Sequence, residues 1–198
     1  MADVTAAPTP RTARLLEMTP ADLRPRLHEA LSLYVTAMRY PRGTEEQRAP
    51  MWLGHMLREH WRCVVALDQD DVMIGIAYGY RGGHGQWWHD QVRRGIHDQG
   101  GSPAALAWLE GYFELTELHV RPDSQGRGTG EELLRALMAG VIDERVLLST
   151  PEGPSRAWSL YRRLGFQDVL RRYRFAGDPR PFAVLGRTLP MNDRPAQL

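Results

Sequence analysis

The stretch "LHVRPDSQGRGTGEELLRAL", from Leu118 to Leu137, restricts the fold more than any other part of the chain. A strand-like segment runs into three alternating glycines, Gly126, Gly128 and Gly130. From Glu131 to Val141 the spacing turns helical, with Leu133, Leu134, Leu137, Met138 and Val141 on one face. A strand, a glycine-rich loop and a helix in this order form an anion site. The first amides of the helix have no internal partner, and the positive end of the helix dipole faces outward. Two nucleotide loops do not fit. A Walker A loop needs Lys and Ser or Thr after its last glycine, where this chain has Glu131 and Glu132. A dinucleotide fingerprint from Gly126 needs a glycine where Glu131 stands.

The surrounding pattern is mixed. Arg14 to Met18 is a candidate strand. Thr19 can cap a helix with Pro20 at its first position. Leu23, Leu27, Leu31, Tyr34, Val35 and Met38 extend that helix as one apolar stripe, with Pro25 tolerated near its start. A second helix is expected from Thr44, with Thr44 and Gln47 as a capping box, to about Glu59. Val64–Leu67 and Val72–Tyr80 read as a hairpin around Asp68 to Asp71. Glycines bound an expected insertion over 82–111, with a helix near Gln86 to His97 and a short one near Pro103 to Leu109. "YFELTELHV" is the strand before the glycine loop. After the loop helix come "RVLLST", a helix in "PSRAWSLYRRLGF" closed by Gly165, and strands "QDVLRRYRF" and "FAVLGRTLP".

The pattern Gln125-x-x-Gly128-x-Gly130 resembles the pyrophosphate loop of the GNAT superfamily, the GCN5-related N-acetyltransferases. "AWSLYRRLGF" resembles that family's second signature, a helix bearing Tyr161 followed by Leu164-Gly165-Phe166. The resemblance is specific from Glu114 to Phe166. It implies a single α/β domain over 13–190, with tails over 1–12 and 191–198. The implied sheet has six to seven strands, is mixed but mostly antiparallel, is flanked by helices, and splays at strands 4 and 5. The implied activity is transfer of an acetyl group from acetyl-CoA to a primary amine by direct attack. A small-molecule amine is the leading acceptor, with a peptide or protein amine second. A non-catalytic coenzyme A sensor is a third reading.

That chemistry needs a held donor, a base for the ammonium, stabilisation of the thioester oxygen, and a proton for the thiolate. The resemblance assigns the cradle to Gln125, Gly126, Arg127, Gly128, Thr129 and Gly130. It assigns the pantetheine arm to Leu118, His119 and Val120, with a backbone N–H near Leu118 serving the oxyanion. It implies Glu114 as base and Glu117 as runner-up, with His119 a third option. Strand alternation puts the two glutamates on opposite faces unless a bulge intervenes. Tyr161 is the implied acid. Pro154 stands where the family often has Asn, so Ser155 is expected to compensate in part by capping the helix.

Other features bear on what the chain excludes. Lys and Arg number 25 against 24 Asp and Glu, which gives no global attraction to nucleic acid or an anionic membrane. The apolar runs are too short to span a membrane, and the expected location is the bacterial cytoplasm. Cys63, the single cysteine, reads as a buried structural residue rather than a ping-pong nucleophile. His84, His89 and His97 lack helical zinc spacing and show no completing ligand set, so no metal is expected. Trp87, Trp88 and His89 in "GQWWHDQV" are candidates to line the acceptor side if the insertion covers it. The same segment reads equally as a homodimer surface or an extra packing layer.

Overall fold

The computed structural model describes residues 13–191, so the expected tail over 1–12, and 192–198 of the other, lie outside the described residues. Strand β1 (Arg14–Met18) leads to α1 (Pro20–Leu23), where Thr19 and Asp22 form a capping box. The expected continuous helix is broken here. A 3-10 turn covers Arg24–Arg26 before α2 (Leu27–Met38) begins. Pro25 has no N–H to extend the first helix, and its ring crowds the preceding turn. Helix α3 (Thr44–His55) follows. Its cap is Gly43 at φ +87°, without a side-chain bond, so the expected Thr44–Gln47 box does not form. Thr44 Oγ1 donates to Pro41 O at 2.7 Å instead.

Strands β2 (Arg62–Leu67) and β3 (Met73–Arg81) form the hairpin. Asp68 Oδ1 accepts from Asp70 N and Val72 N, both at 3.0 Å, which ties the turn. The segment expected as an insertion contains α4 (Trp87–Asp98) and α5 (Pro103–Leu106). Then come β4 (Tyr112–Val120), α6 (Thr129–Met138), β5 (Arg145–Pro151), α7 (Arg156–Arg163), β6 (Gln167–Tyr173) and β7 (Phe182–Thr188).

The seven strands make one sheet in the order β1-β2-β3-β4-β5-β7-β6. Every pairing is antiparallel except β4 with β5. Helices cover both faces. Leu133, Leu134 and Leu137 of α6 and Tyr161 of α7 pack with Val146 and Leu148 on one face. On the other, α2 and α3 pack over Val65, Ile76 and Tyr78. Helix α4 extends that second layer, with Trp88, Val92 and Ile96 against Tyr112, Leu147 and Val184.

Two departures from regular pairing position the site. First, β4 and β5 pair only over Tyr112–Arg145, Phe113–Val146 and Glu114–Leu147. Beyond Glu114 the strands diverge and leave a gap in the sheet. Second, Tyr78 opposes Glu117 while the next residue, Gly79, opposes Leu115, so Thr116 is an extra residue in β4. This bulge shifts the alternation by one. Glu114 and Glu117 therefore share a face, the one covered by α2 and α3.

Candidate active site

The loop after β4 folds as its glycines require. Gly126 and Gly128 take φ +80° and +89°, a region that side-chain-bearing residues avoid. Gly128 caps α6 without a side-chain acceptor, which leaves the first amides of a ten-residue helix open to an outside anion. Gln125 Nε2 donates to Val120 O at 2.8 Å, pinning the loop to the end of β4. Arg156 donates to Gln125 Oε1 at 3.2 Å and so stands beside the loop. A cavity of about 660 Å³ opens here, lined by Leu118, Gln125, Gly126, Gly128, Gly130 and Arg156 among others. The glycine backbone, the uncapped helix start and the adjacent guanidinium fit a pyrophosphate.

Not every residue expected here faces that cavity. Arg127 borders a separate 200 Å³ hollow with Asp68 and Arg121. Thr129 lines both spaces and is buried. Ser155 is the α7 cap, with Oγ accepting from Trp158 N at 3.0 Å. Its hydroxyl thus serves the helix start, and α7 begins against this first cavity.

A second cavity of about 700 Å³ lies across the gap between β4 and β5. It shares Leu118, Val120, Ala157 and Tyr161 with the first, so the two meet at these residues. Glu117 and His119 line it, and His119 Nε2 lies 2.5 Å from Glu117 Oε2. The His119 ring rests edge-on against Tyr34 of α2, with centroids 5.0 Å apart. Tyr161 is 6% exposed. Burial, and then the negative charge of Glu117, push its phenol above the ordinary value, so it carries its proton at neutral pH.

Glu114 is placed differently. It is buried behind the cavity rather than lining it. Tyr80 donates to its Oε1 at 3.4 Å, and its Oε2 has no hydrogen-bond partner. Burial lifts the carboxyl to about 8, which leaves it mostly protonated at neutral pH. Tyr80 also packs on His55, and His55 Nδ1 lies 3.0 Å from the Tyr78 hydroxyl. Burial pushes His55 down to about 4, so it is neutral. Sequence reading missed His55, Tyr78 and Tyr80, because α3 and β3 meet β4 only in the folded chain.

The outer wall of the second cavity was also unforeseen. Arg180, in the turn between β6 and β7, holds Asp178 through contacts of 2.6 and 3.0 Å and borders the same space as Tyr40. Tyr40, Asp178 and Arg180 border a further groove of about 600 Å³, with Arg42, Arg48 and Met51. The path from the glycine loop thus runs through the sheet gap to an open face between the α2–α3 turn and the β6–β7 turn.

The remaining candidates sort themselves by burial. Cys63 is fully buried, its thiol pushed up by burial, which suits a packing role. Trp88 is inward, with Nε1 donating to Ser149 Oγ at 3.1 Å, while neighbouring Trp87 is exposed. Trp87, Trp88 and His89 are not among the residues lining either cavity. Contrary to the expectation from spacing, a carboxylate stands with two of the histidines: candidate ligand atoms of His84, His89 and Asp90 lie within 4.8 Å of one another. Among the described residues, no helix is long and apolar enough to cross a membrane.

Residues 59–168 match the model of the acetyltransferase (GNAT) domain. The chain is 50% identical over 202 residues to a GCN5-like protein acetyltransferase of Mycobacterium tuberculosis, covering 89% of this chain and 98% of that one. Its fold resembles the ribosomal-protein-S18-alanine N-acetyltransferase of Escherichia coli, with TM-score 0.58 and 17% identity over 94% of this chain and 100% of that one. It also resembles the PaiA N-acetyltransferase of Thermoplasma acidophilum, solved with coenzyme A, with TM-score 0.55 and 13% identity over 90% and 99% of the two chains.

Proposed function

This chain belongs to the GNAT family of acetyltransferases, enzymes that use acetyl-CoA, and we propose that it acetylates an amine carried by a protein or peptide. The observation that carries this reading is the meeting of the donor and acceptor cavities at Leu118 and Tyr161, with Glu117 and His119 on the acceptor side. Bound acetyl-CoA supplies a thioester carbonyl open to attack. The amides from Gln125 to Gly130 would hold its pyrophosphate, with Arg156 beside them. Leu118, His119 and Val120 would take its pantetheine arm at the gap that β5 leaves open. A backbone N–H near Leu118 donates to the carbonyl oxygen as charge develops.

His119 takes the proton from the entering ammonium, oriented by Glu117. Glu114 sits two residue pairs from Glu117 on the same face. Its largely protonated state makes it a reserve beneath the site rather than the first acceptor of the proton. Tyr161, protonated and shared by both cavities, donates to the departing thiolate. Attack is direct, since Cys63 is sealed in the core.

The acceptor assignment draws on two supports. The relative at 50% identity is named a protein acetyltransferase. The acceptor cavity also borders an open groove through Tyr40, Asp178 and Arg180, which suits an extended chain presenting one amine. A small-molecule amine is the second reading, favoured by the 700 Å³ cavity, a size typical of small-ligand sites. Thiol release from acetyl-CoA should be measured against lysine peptides, free N-terminal peptides and a polyamine panel. Faster turnover of peptides supports the first reading. Turnover confined to the free amines removes it in favour of the second.

A further inference from the structure

The cluster at the start of α4 lies outside the acetyl-transfer site and has its own chemistry. His84 sits in the loop that leaves β3, and His89 and Asp90 lie in the first turn of α4. The rings of His84 and His89 stand 4.6 Å apart between centroids. His84 and Asp90 are exposed, whereas His89 is only 1% exposed. Its Nδ1 lies 3.2 Å from the Tyr112 hydroxyl, and its Nε2 is buried without a hydrogen-bond partner. A buried imidazole nitrogen is rarely left unsatisfied without a reason.

We propose that His84, His89 and Asp90 form a binding site for a divalent transition metal of the zinc type. Two imidazoles and one carboxylate are a ligand set suited to zinc, with water filling the fourth position. With Nδ1 engaged by Tyr112, Nε2 is the atom of His89 left to take a ligand. Tyr112 then plays the outer part usual at such sites, fixing the ring orientation and the tautomer. The candidate atoms lie within 4.8 Å of one another, and four-coordinate zinc brings its ligands to about 3.3 Å. The two exposed side chains swing inward to close that difference, while buried His89 stays fixed. Arg93, one turn further along α4, opposes a cation, and the Asp90 carboxylate offsets it.

The ion would clip the loop after β3 to α4 and, through Tyr112, to the start of β4. The test uses the full, untagged chain after dialysis against a chelator. Cobalt chloride is titrated in and followed by the visible ligand-field band of four-coordinate cobalt; zinc is then titrated by calorimetry. The expected result is one ion per chain, with affinity weakened about tenfold or more in both His84→Ala and Asp90→Asn. Both variants alter exposed side chains, so folding is preserved. Wild-type titrations without saturation, or tight binding retained in either variant, overturn the proposal. Acetyl transfer is not the readout, so neither outcome bears on the transferase reading.

Discussion

His119 Nε2 lies 2.5 Å from Glu117 Oε2 at the edge of the gap where β4 has parted from β5. The pair lines the second cavity, and its members are only 10% and 14% exposed at their side chains. If His119 removes the amine proton, His119→Gln should lower kcat by about a hundredfold or more. Glu117→Gln should lower it less, since the imidazole remains. Coenzyme A affinity, read by calorimetry, should stay within about twofold in both. Full turnover in His119→Gln would sink the assignment.

Glu114 offers a test on stability rather than rate. In the unfolded chain its carboxyl ionises near 4.5, and burial raises it to about 8 in the folded protein. Between those values the folded state holds one proton more than the unfolded state. Stability from this group is therefore complete below about 4.5 and falls as pH rises toward 8, each pKa unit corresponding to about 1.4 kcal/mol. Glu114→Gln removes the titration. Its Tm relative to wild type should rise by several degrees between pH 5 and pH 8, about the shift that a few kcal/mol produces in a domain of this size. Thermal melts across that range check it. A difference that does not change with pH would mean the carboxyl is not held neutral.

The two glutamates also mark how far the sequence could be read. The glycine loop and Tyr161 were legible because local spacing fixes a loop and a helix. Relative facing of Glu114 and Glu117 was not, because it depends on the Thr116 bulge, which arises from pairing with β3. His55 and Tyr80 around Glu114 come from other elements, so no local pattern announces them. Pro25 was misjudged for a different reason. The apolar stripe runs through it unbroken, yet the backbone cannot. Arg156 and Arg180 were not legible: Arg156 meets Gln125 only across a long separation in the chain, and Arg180 lies in an irregular turn.

Tyr161 stands where the two cavities meet, buried and protonated. Tyr161→Phe keeps the ring packed against Phe166 and removes only the hydroxyl. The expected result is a kcat about tenfold to a hundredfold lower, with coenzyme A binding intact. A donor ester or thioester with a better leaving group should restore part of the loss, because such a group needs less protonation. Equal loss with every donor would assign Tyr161 to packing instead.

The loop itself can be probed without touching a charged group. Gly128 takes φ +89°, and a Cβ built there meets nothing within 4 Å. Gly128→Ala is therefore disfavoured by backbone strain and not by collision, at a cost of about 1 kcal/mol. Because Gly128 is the cap of α6, relief of that strain would turn the first amides of the helix away from the cavity. The global fold, anchored by Leu133, Leu134 and Leu137, should lose only a few degrees of Tm. Coenzyme A affinity should fall about tenfold or more, while a truncated donor lacking the pyrophosphate should be used equally well by variant and wild type. That contrast separates an anion cradle from a merely structural glycine. Equal losses with both donors would show that the substitution disturbs the pantetheine path or the fold, and the cradle assignment would then fail.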